Sequence, residues 1–236
     1  TYAVWNRGFA AIAAENLLGY DAVIWQTGSN GSGLVAEDRS ALDAYLADGG
    51  NLILAGEDIL ETLYNQGGSA RLWYQLKLRV SYGTGDSGNL DVVGQAGTVG
   101  EGLSFTLTGG DPDQISLLAN QPVEEAFQFG NGEVAGIQTT YGDYLVLTLP
   151  FGLERVPDSA DQAAIIDGAL DWFGLLDPTA AGDTPLAGMA LMQNAPNPFN
   201  PITKISFVMD QIGPARLEIF NARGQLVRVL ADETIE

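Results

Sequence analysis

Apolar residues in the first three quarters of the chain form either short continuous runs or helix-like spacings. Three runs are almost wholly apolar, which is typical of strands buried on both faces of a parallel sheet: 22–25, 52–55 and 144–149. Three other segments have the spacing of amphipathic helices: 36–47, 59–64 and 160–173. Strands that alternate with helices predict a three-layer α/β domain with a parallel central sheet over residues 1–176.

The pattern of apolar and polar residues changes from about 76 to 135, where short alternating segments are separated by glycine and aspartate. This pattern predicts a β-rich insertion with strands at 76–82, 90–93 and 103–107. Within it, residues 83–88 are predicted to form a glycine-rich turn.

Residues 177–190 lack any periodicity and are predicted to be a linker. Residues 191–236 are predicted to form a small all-β domain. Its three strands are expected at 203–209, 215–220 and 225–230.

The charge balance of the chain excludes some classes of binding partner. The chain of 236 residues has 30 acidic and 10 basic residues, giving a formal net charge of −20. Nucleic-acid binding requires clustered lysine and arginine, so a general nucleic-acid binder is excluded, and docking on anionic lipid is disfavoured. No apolar run reaches the roughly 18 residues that a membrane-spanning helix needs.

The chain contains no cysteine and no histidine. A thiolate nucleophile, a Ser-His-Asp triad and a zinc site of the usual kind therefore cannot be assembled from its residues. Of the four tryptophans, Trp25 and Trp172 lie in apolar runs and are predicted core residues. Trp73, next to Tyr74, is the better candidate for a surface that stacks on carbohydrate.

Two segments, YDAVIWQTG at 20–28 and LDAYLADGGNLILAGEDI at 42–59, resemble the class I glutamine-amidotransferase-like domains of secreted bacterial proteins. The resemblance extends to FGLE at 151–154 and LDWF at 170–173. It implies a flavodoxin-like fold for residues 1–176. It also implies that a first strand and helix of the family precede Tyr2.

The C-terminal segments NAPNPFNP (194–201), TKISF (203–207) and LEIFNARGQLV (217–227) closely resemble the sorting domain of type IX secretion cargo. The resemblance implies an Ig-like β-sandwich, recognition by the type IX machinery and delivery to the cell surface or the medium. The family's last strands are missing, so the domain is expected to be incomplete. The motif residues are Pro196, Asn197, Pro198, Phe199, Asn200, Pro201 and Gly224.

A glutaminase of the resembled family would place a cysteine in the turn at 55–58, but this turn reads Ala-Gly-Glu-Asp. Glu57, Asp58 and Glu154 are candidate ligand-binding residues, because such folds bind ligands at the carboxyl ends of their strands. Glu57 and Asp58 could act as an acid–base pair or bind a cation. Alternatively, Asp58 caps the following helix.

Four aspartates of the β-rich insertion are candidate ligands for a surface Ca²⁺ ion: Asp86, Asp91, Asp111 and Asp113. Their spacing is not that of an EF-hand, and a plain acidic turn is the alternative. No other cofactor is expected.

These observations predict a non-catalytic surface protein that scaffolds, adheres or self-associates. The alternatives are an accessory domain of a larger secreted hydrolase, most plausibly a peptidase with its catalytic part upstream, and a carboxylate-based enzyme using Glu57, Asp58 or Glu154. We expect the chain to be completed at both ends by further residues, a cleaved segment or a neighbouring copy of the chain, because its three C-terminal strands would leave unpaired edges open to self-association.

Overall fold

The computed structural model describes residues 11–28, 34–176, 189–191, 207–209, 213–220 and 226–235. The chain divides into two units, Thr1–Leu176 and Asp177–Glu236. The 177–188 part of the expected linker and the sorting motif at 196–201 with Gly224 lie outside the described residues.

The first unit combines helices and strands, with 3₁₀ turns at Ala14–Asn16 and Leu153–Arg155. Its described helices are α1 (Ala36–Ala47), α2 (Ile59–Gln66), α3 (Gly68–Lys77) and α4 (Ser159–Trp172). Its described strands are β1 (Ala22–Gln26), β2 (Asn51–Ala55), β3 (Val80–Asp86), β4 (Asp91–Gly94), β5 (Ser104–Thr106), β6 (Asp113–Leu117), β7 (Val123–Phe129), β8 (Val134–Tyr141) and β9 (Tyr144–Leu149). Among the described residues, no helix has the length and apolar character needed to cross a bilayer.

All nine strands belong to one mixed sheet with the order β1-β2-β9-β8-β7-β4-β5, in which β6 also pairs with β8 and β3 pairs with β6. β2 is parallel to both β1 and β9, and Ile53 lies between Ile24 and Leu147. The predicted parallel centre and the mixed α/β class are confirmed. The insertion strands pair antiparallel and extend this sheet.

Helices cover the central strands on both faces. β2 is wholly buried, and its residues alternate between two apolar clusters. Leu52 and Leu54 belong to the cluster that contains α1, α2 and α3, whereas Ile53 belongs to the cluster that contains α4. β1 differs from the prediction, because Ile24 is 45% exposed on this edge strand.

The prediction of a strand at 76–82 is wrong at its start, because α3 continues to Lys77 and β3 begins at Val80. Ala70, Trp73 and Tyr74 have the i, i+3, i+4 spacing that places them on one helix face, and all three are buried. Trp73 is therefore a core residue, and its indole N–H donates to Asp43 at 2.6 Å.

The predicted turn at 83–88 is also partly wrong. Residues 83–86 belong to β3, whose pairing with β6 becomes irregular between Tyr82 and Asp86. β3 then ends at Asp86, which pairs with Asp113 of β6.

The described residues of the second unit form two antiparallel pairs: β10 (Met189–Leu191) with β11 (Phe207–Met209), and β12 (Gly213–Phe220) with β13 (Leu226–Ile235). The predicted strand segments at 215–220 and 226–230 are confirmed. Met189 and Ala190 are strand residues, so the predicted linker extends too far.

Candidate functional site

The carboxyl ends of β1, β2 and β9 meet at one edge of the sheet, because these three strands are parallel. The chain turns there at Thr27 after β1, at Glu57 and Asp58 after β2, and at 150–155 after β9. All three predicted ligand-binding carboxylates lie in these turns, but the structure gives them separate surroundings.

Glu57 is a buried, ion-paired residue. Its side chain is 6% exposed, and Arg155 donates from Nε to its Oε1 at 2.9 Å. The carboxylate packs so closely on Gly110 that a Cβ atom there would lie 1.9 Å from Glu57 Oε1. Glu57 therefore joins three loops, and its charge is paired with that of Arg155.

Glu154 is exposed and accepts a short hydrogen bond from the side-chain amide of Gln26. This contact links the turn after β9 to the end of β1. Glu57 and Glu154 therefore have different partners.

Asp58 precedes α2 in the left-handed conformation, with φ 57° and ψ 10°. Its side chain does not bond to the N-terminus of α2. Asp58 is the N-cap residue of α2 by position, as one of the alternatives holds, but its side chain does not provide the capping hydrogen bond. Asp113, the first residue of β6, supplies this hydrogen bonding instead. Its Oδ2 accepts from the backbone N–H groups of Leu60 at 2.9 Å and Glu61 at 3.4 Å.

Asp113 is fully buried at the start of β6, so it does not lie at the surface, where the sequence placed its candidate Ca²⁺ site. Its second oxygen, Oδ1, is buried and has no hydrogen-bond partner among the described residues. Burial raises the pKa of Asp113 to about 7, and the charges of Asp58 and Glu61 add to this effect. The N–H groups of Leu60 and Glu61 oppose the shift.

Asp58, Asp86 and Asp113 form one group, which we call the acidic cluster. One carboxylate oxygen from each lies within 4.8 Å of the other two. Burial raises the pKa of Asp58 and of Asp86, and neighbouring carboxylates raise both further: Glu61 and Asp111 act on each of them. The cluster is a region of unbalanced negative charge.

The acidic cluster contains one predicted ligand-binding residue and two of the four predicted metal ligands. Asp111 is exposed and contributes charge from nearby, while Asp91 lies on β4 and accepts from Thr106 Oγ1 at 2.6 Å. Sequence reasoning missed Glu61 as a neighbour. It also did not combine Asp58 with Asp113, because the two are far apart along the chain and nothing in the local pattern indicates that β6 packs beside α2.

Comparison of the sequence with protein-family models and with curated proteins finds no match. Solved structures do match. A ThuA-like protein from Bacteroides uniformis has a TM-score of 0.52 at 16% identity, covering 71% of this chain and 74% of that protein. A GMP synthase component from Thermoplasma acidophilum has a TM-score of 0.47 at 14% identity, covering 70% of this chain and 80% of that protein.

A β-galactosidase from Rahnella sp. R3 has a TM-score of 0.47 at 16% identity over 73% of this chain, which spans 25% of the length of that enzyme. At these identities a likeness shows the fold alone. Of the three, the ThuA-like match supports the mixed α/β fold of the first unit. The other two scores are too low to add to the argument.

Proposed function

We propose that the chain is a non-catalytic interaction protein of the bacterial cell surface, exported by type IX secretion, with a flavodoxin-like first unit and an Ig-like sorting domain. The observation that carries the non-catalytic part is the turn after β2. In this turn Glu57 is ion-paired with Arg155, and Asp58 faces other carboxylates.

Neither residue is paired with a base that could activate a nucleophile. The chain offers no thiol or imidazole for that purpose. Acyl transfer of the glutaminase kind requires a nucleophile, a base and an orienting group within hydrogen-bonding reach of one another. The turn after β2 therefore supports binding better than bond cleavage.

The purified chain is expected to show no turnover of glutamine, nitrophenyl esters or casein above the buffer rate. Glu57→Gln and Asp58→Asn variants serve as matched controls, because they preserve side-chain volume and remove the charge. Turnover that either variant abolishes would overturn the non-catalytic assignment.

Support for export is the similarity of residues 194–227 to the sorting domain. A test is to place an epitope tag on the full chain and express it in a strain with the type IX channel and in a strain lacking it. We expect to find the tag on the surface or in the medium of the strain with the channel, and not of the strain lacking it. Pro198→Ala should reduce export, whereas Pro157→Ala, at an exposed proline before α4, should not.

Equal export by the two strains would refute the assignment.

The sequence of the gene upstream of residue 1 separates a surface protein of this kind from an accessory domain of a larger hydrolase.

A further inference from the structure

Three separate parts of the first unit contribute to the acidic cluster. Asp58 lies between β2 and α2, Asp86 ends β3, and Asp113 begins β6. Asp86 and Asp113 are direct partners across the β3–β6 pair. Like charges opposite each other weaken an antiparallel pair, so a proton or a positive charge between these two carboxylates would stabilise it.

The described residues do not supply that charge. Each charged neighbour that shifts the pKa of Asp58, Asp86 or Asp113 is itself a carboxylate. Arg155, on the same edge of the sheet, is bonded to Glu57. Burial raises the pKa of the nearby Tyr82 to about 12, and the charges of the same carboxylates add to this effect.

Asp113 provides a second and independent observation. The residue is 0% exposed, and Oδ2 receives two backbone N–H groups, whereas the buried Oδ1 has no partner among the described residues. A buried carboxylate oxygen without a donor is strongly disfavoured unless a proton or a cation meets it. Asp113 supplies one of the three oxygens of the acidic cluster. A cation bound between these oxygens would therefore contact the Asp113 carboxylate.

The ligand type and spacing select the class of cation. The three ligands are hard carboxylate oxygens, and the chain has no thiolate or imidazole ligand for zinc. Ca²⁺ binds oxygen at about 2.3–2.6 Å, so oxygens up to roughly 5 Å apart can share one ion. Mg²⁺ binds at about 2.1 Å and requires oxygens within roughly 4.2 Å. The oxygens of Asp58, Asp86 and Asp113 all lie within 4.8 Å of one another, so small side-chain rotations bring all three to the Ca²⁺–oxygen distance, whereas Mg²⁺ requires a larger contraction.

We propose that Asp58, Asp86 and Asp113 bind one Ca²⁺ ion, which joins the start of α2 to the β3–β6 pair. The left-handed backbone of Asp58 belongs to this arrangement, since its carboxylate faces the cluster while Asp113 caps the helix. Water completes the coordination from the exposed side. With three protein carboxylates, the dissociation constant is expected at about 10⁻⁴–10⁻³ M, the range of extracellular calcium modules.

The test uses the full chain after removal of divalent ions. Calorimetric titration with CaCl₂ should give one saturable site, and thermal unfolding should shift to higher temperature as Ca²⁺ is added. MgCl₂ should give a smaller shift at equal concentration.

The decisive variant is Asp86→Asn, because Asp86 is exposed and its replacement removes repulsion without opening the core. Without calcium this variant should be at least as stable as the parent chain, yet its calcium affinity should fall roughly tenfold or more. Asp113→Asn should lose affinity as well, while its amide oxygen can still cap α2. Asp91→Asn, an exposed aspartate outside the cluster, should bind as the parent does.

Absence of saturable binding at millimolar calcium would overturn the proposal. So would an affinity that Asp86→Asn leaves unchanged, since binding would then reflect the general acidity of the chain. Equal or tighter binding of Mg²⁺ would overturn the choice of ion. These outcomes do not depend on whether the protein is exported.

Discussion

At the residue scale, the acidic side chains of the first unit differ in how their charge is met. Glu57 has Arg155. Hydrogen bonds from Ser87 and Asn131 lower the pKa of Glu133. The acidic cluster has the opposite character, because its members raise one another's pKa. The first two carboxylates are stabilised by the protein itself, whereas the cluster is suited to an external cation.

Loss of the Glu57 partner should be costly. Arg155→Met leaves a buried carboxylate without its cation, and we expect the free energy of unfolding to fall by about 3 kcal/mol. The Glu57→Gln/Arg155→Met double variant should recover most of this loss, because no unpaired charge remains. Urea unfolding near neutral pH measures both.

Arg71→Met is the matched control. The Arg71 guanidinium lies 4.4 Å from the centre of the Tyr64 ring, and an exposed contact of this kind contributes about 1 kcal/mol or less. Equal losses from Arg71→Met and Arg155→Met would contradict the assignment of Glu57 as a buried charge that depends on its partner.

Tyr45 should make the fold sensitive to alkali. Its buried hydroxyl donates to the Asn51 carbonyl at 3.0 Å, and burial raises the pKa of Tyr45 above its ordinary value near 10. Above that ordinary value the unfolded chain loses the Tyr45 proton while the folded chain keeps it. Ionisation of Tyr45 should therefore leave the free energy of unfolding unchanged at pH 7 and lower it as the pH rises beyond about 10.

Tyr45→Phe tests this prediction. At about pH 8 the variant should be less stable by about 1–2 kcal/mol, because the Asn51 carbonyl loses its donor. Above about pH 10 its stability should fall less steeply than that of the parent chain. Identical pH slopes in urea unfolding would show that Tyr45 is not the group responsible.

At the element scale, the sequence predicts the central elements well and the insertion less well. β2, β9, α1 and α4 are recognisable because continuous apolar runs and amphipathic spacing are local signals. α3 was missed because its short apolar face follows two glycines and leads directly into a strand. The acidic cluster could not be assembled from sequence, since it depends on the irregular pairing of β3 with β6.

The insertion strands depend on one close backbone contact. Gly94, at the end of β4, packs against Gly100, and a Cβ atom on Gly94 would lie 1.6 Å from the Gly100 carbonyl oxygen. Gly94→Ala should therefore lower the free energy of unfolding by about 2–3 kcal/mol, because backbone must move to relieve the clash. Chemical denaturation provides the measurement.

Gly85→Ala is the corresponding control, since nothing lies within 4 Å of its Cβ position. We expect its effect to stay below about 1 kcal/mol. If both alanine variants were equally stable, the packing of β4 on the 97–100 turn would be looser than the structure indicates.

At the scale of the whole molecule, two properties act against each other. The net charge of −20 makes copies of the chain repel one another. The second unit, however, exposes apolar side chains on its β12–β13 pair, including Ile219, Val227, Val229 and Leu230. Exposed apolar strands favour pairing with other chains.

We therefore expect reversible self-association that increases with ionic strength, since salt screens the repulsion and leaves apolar contact intact. Val227 is 61% exposed, and Val229, two residues further along β13, is 38% exposed. Changing both to threonine keeps the strand propensity, removes apolar surface and should shift the chain toward monomer at equal salt. Arg228→Lys, at the exposed residue between these two valines, keeps the charge and should associate as the parent does. Sedimentation equilibrium at low and high salt measures the effect, and a parent chain that stays monomeric at every salt and protein concentration would refute it.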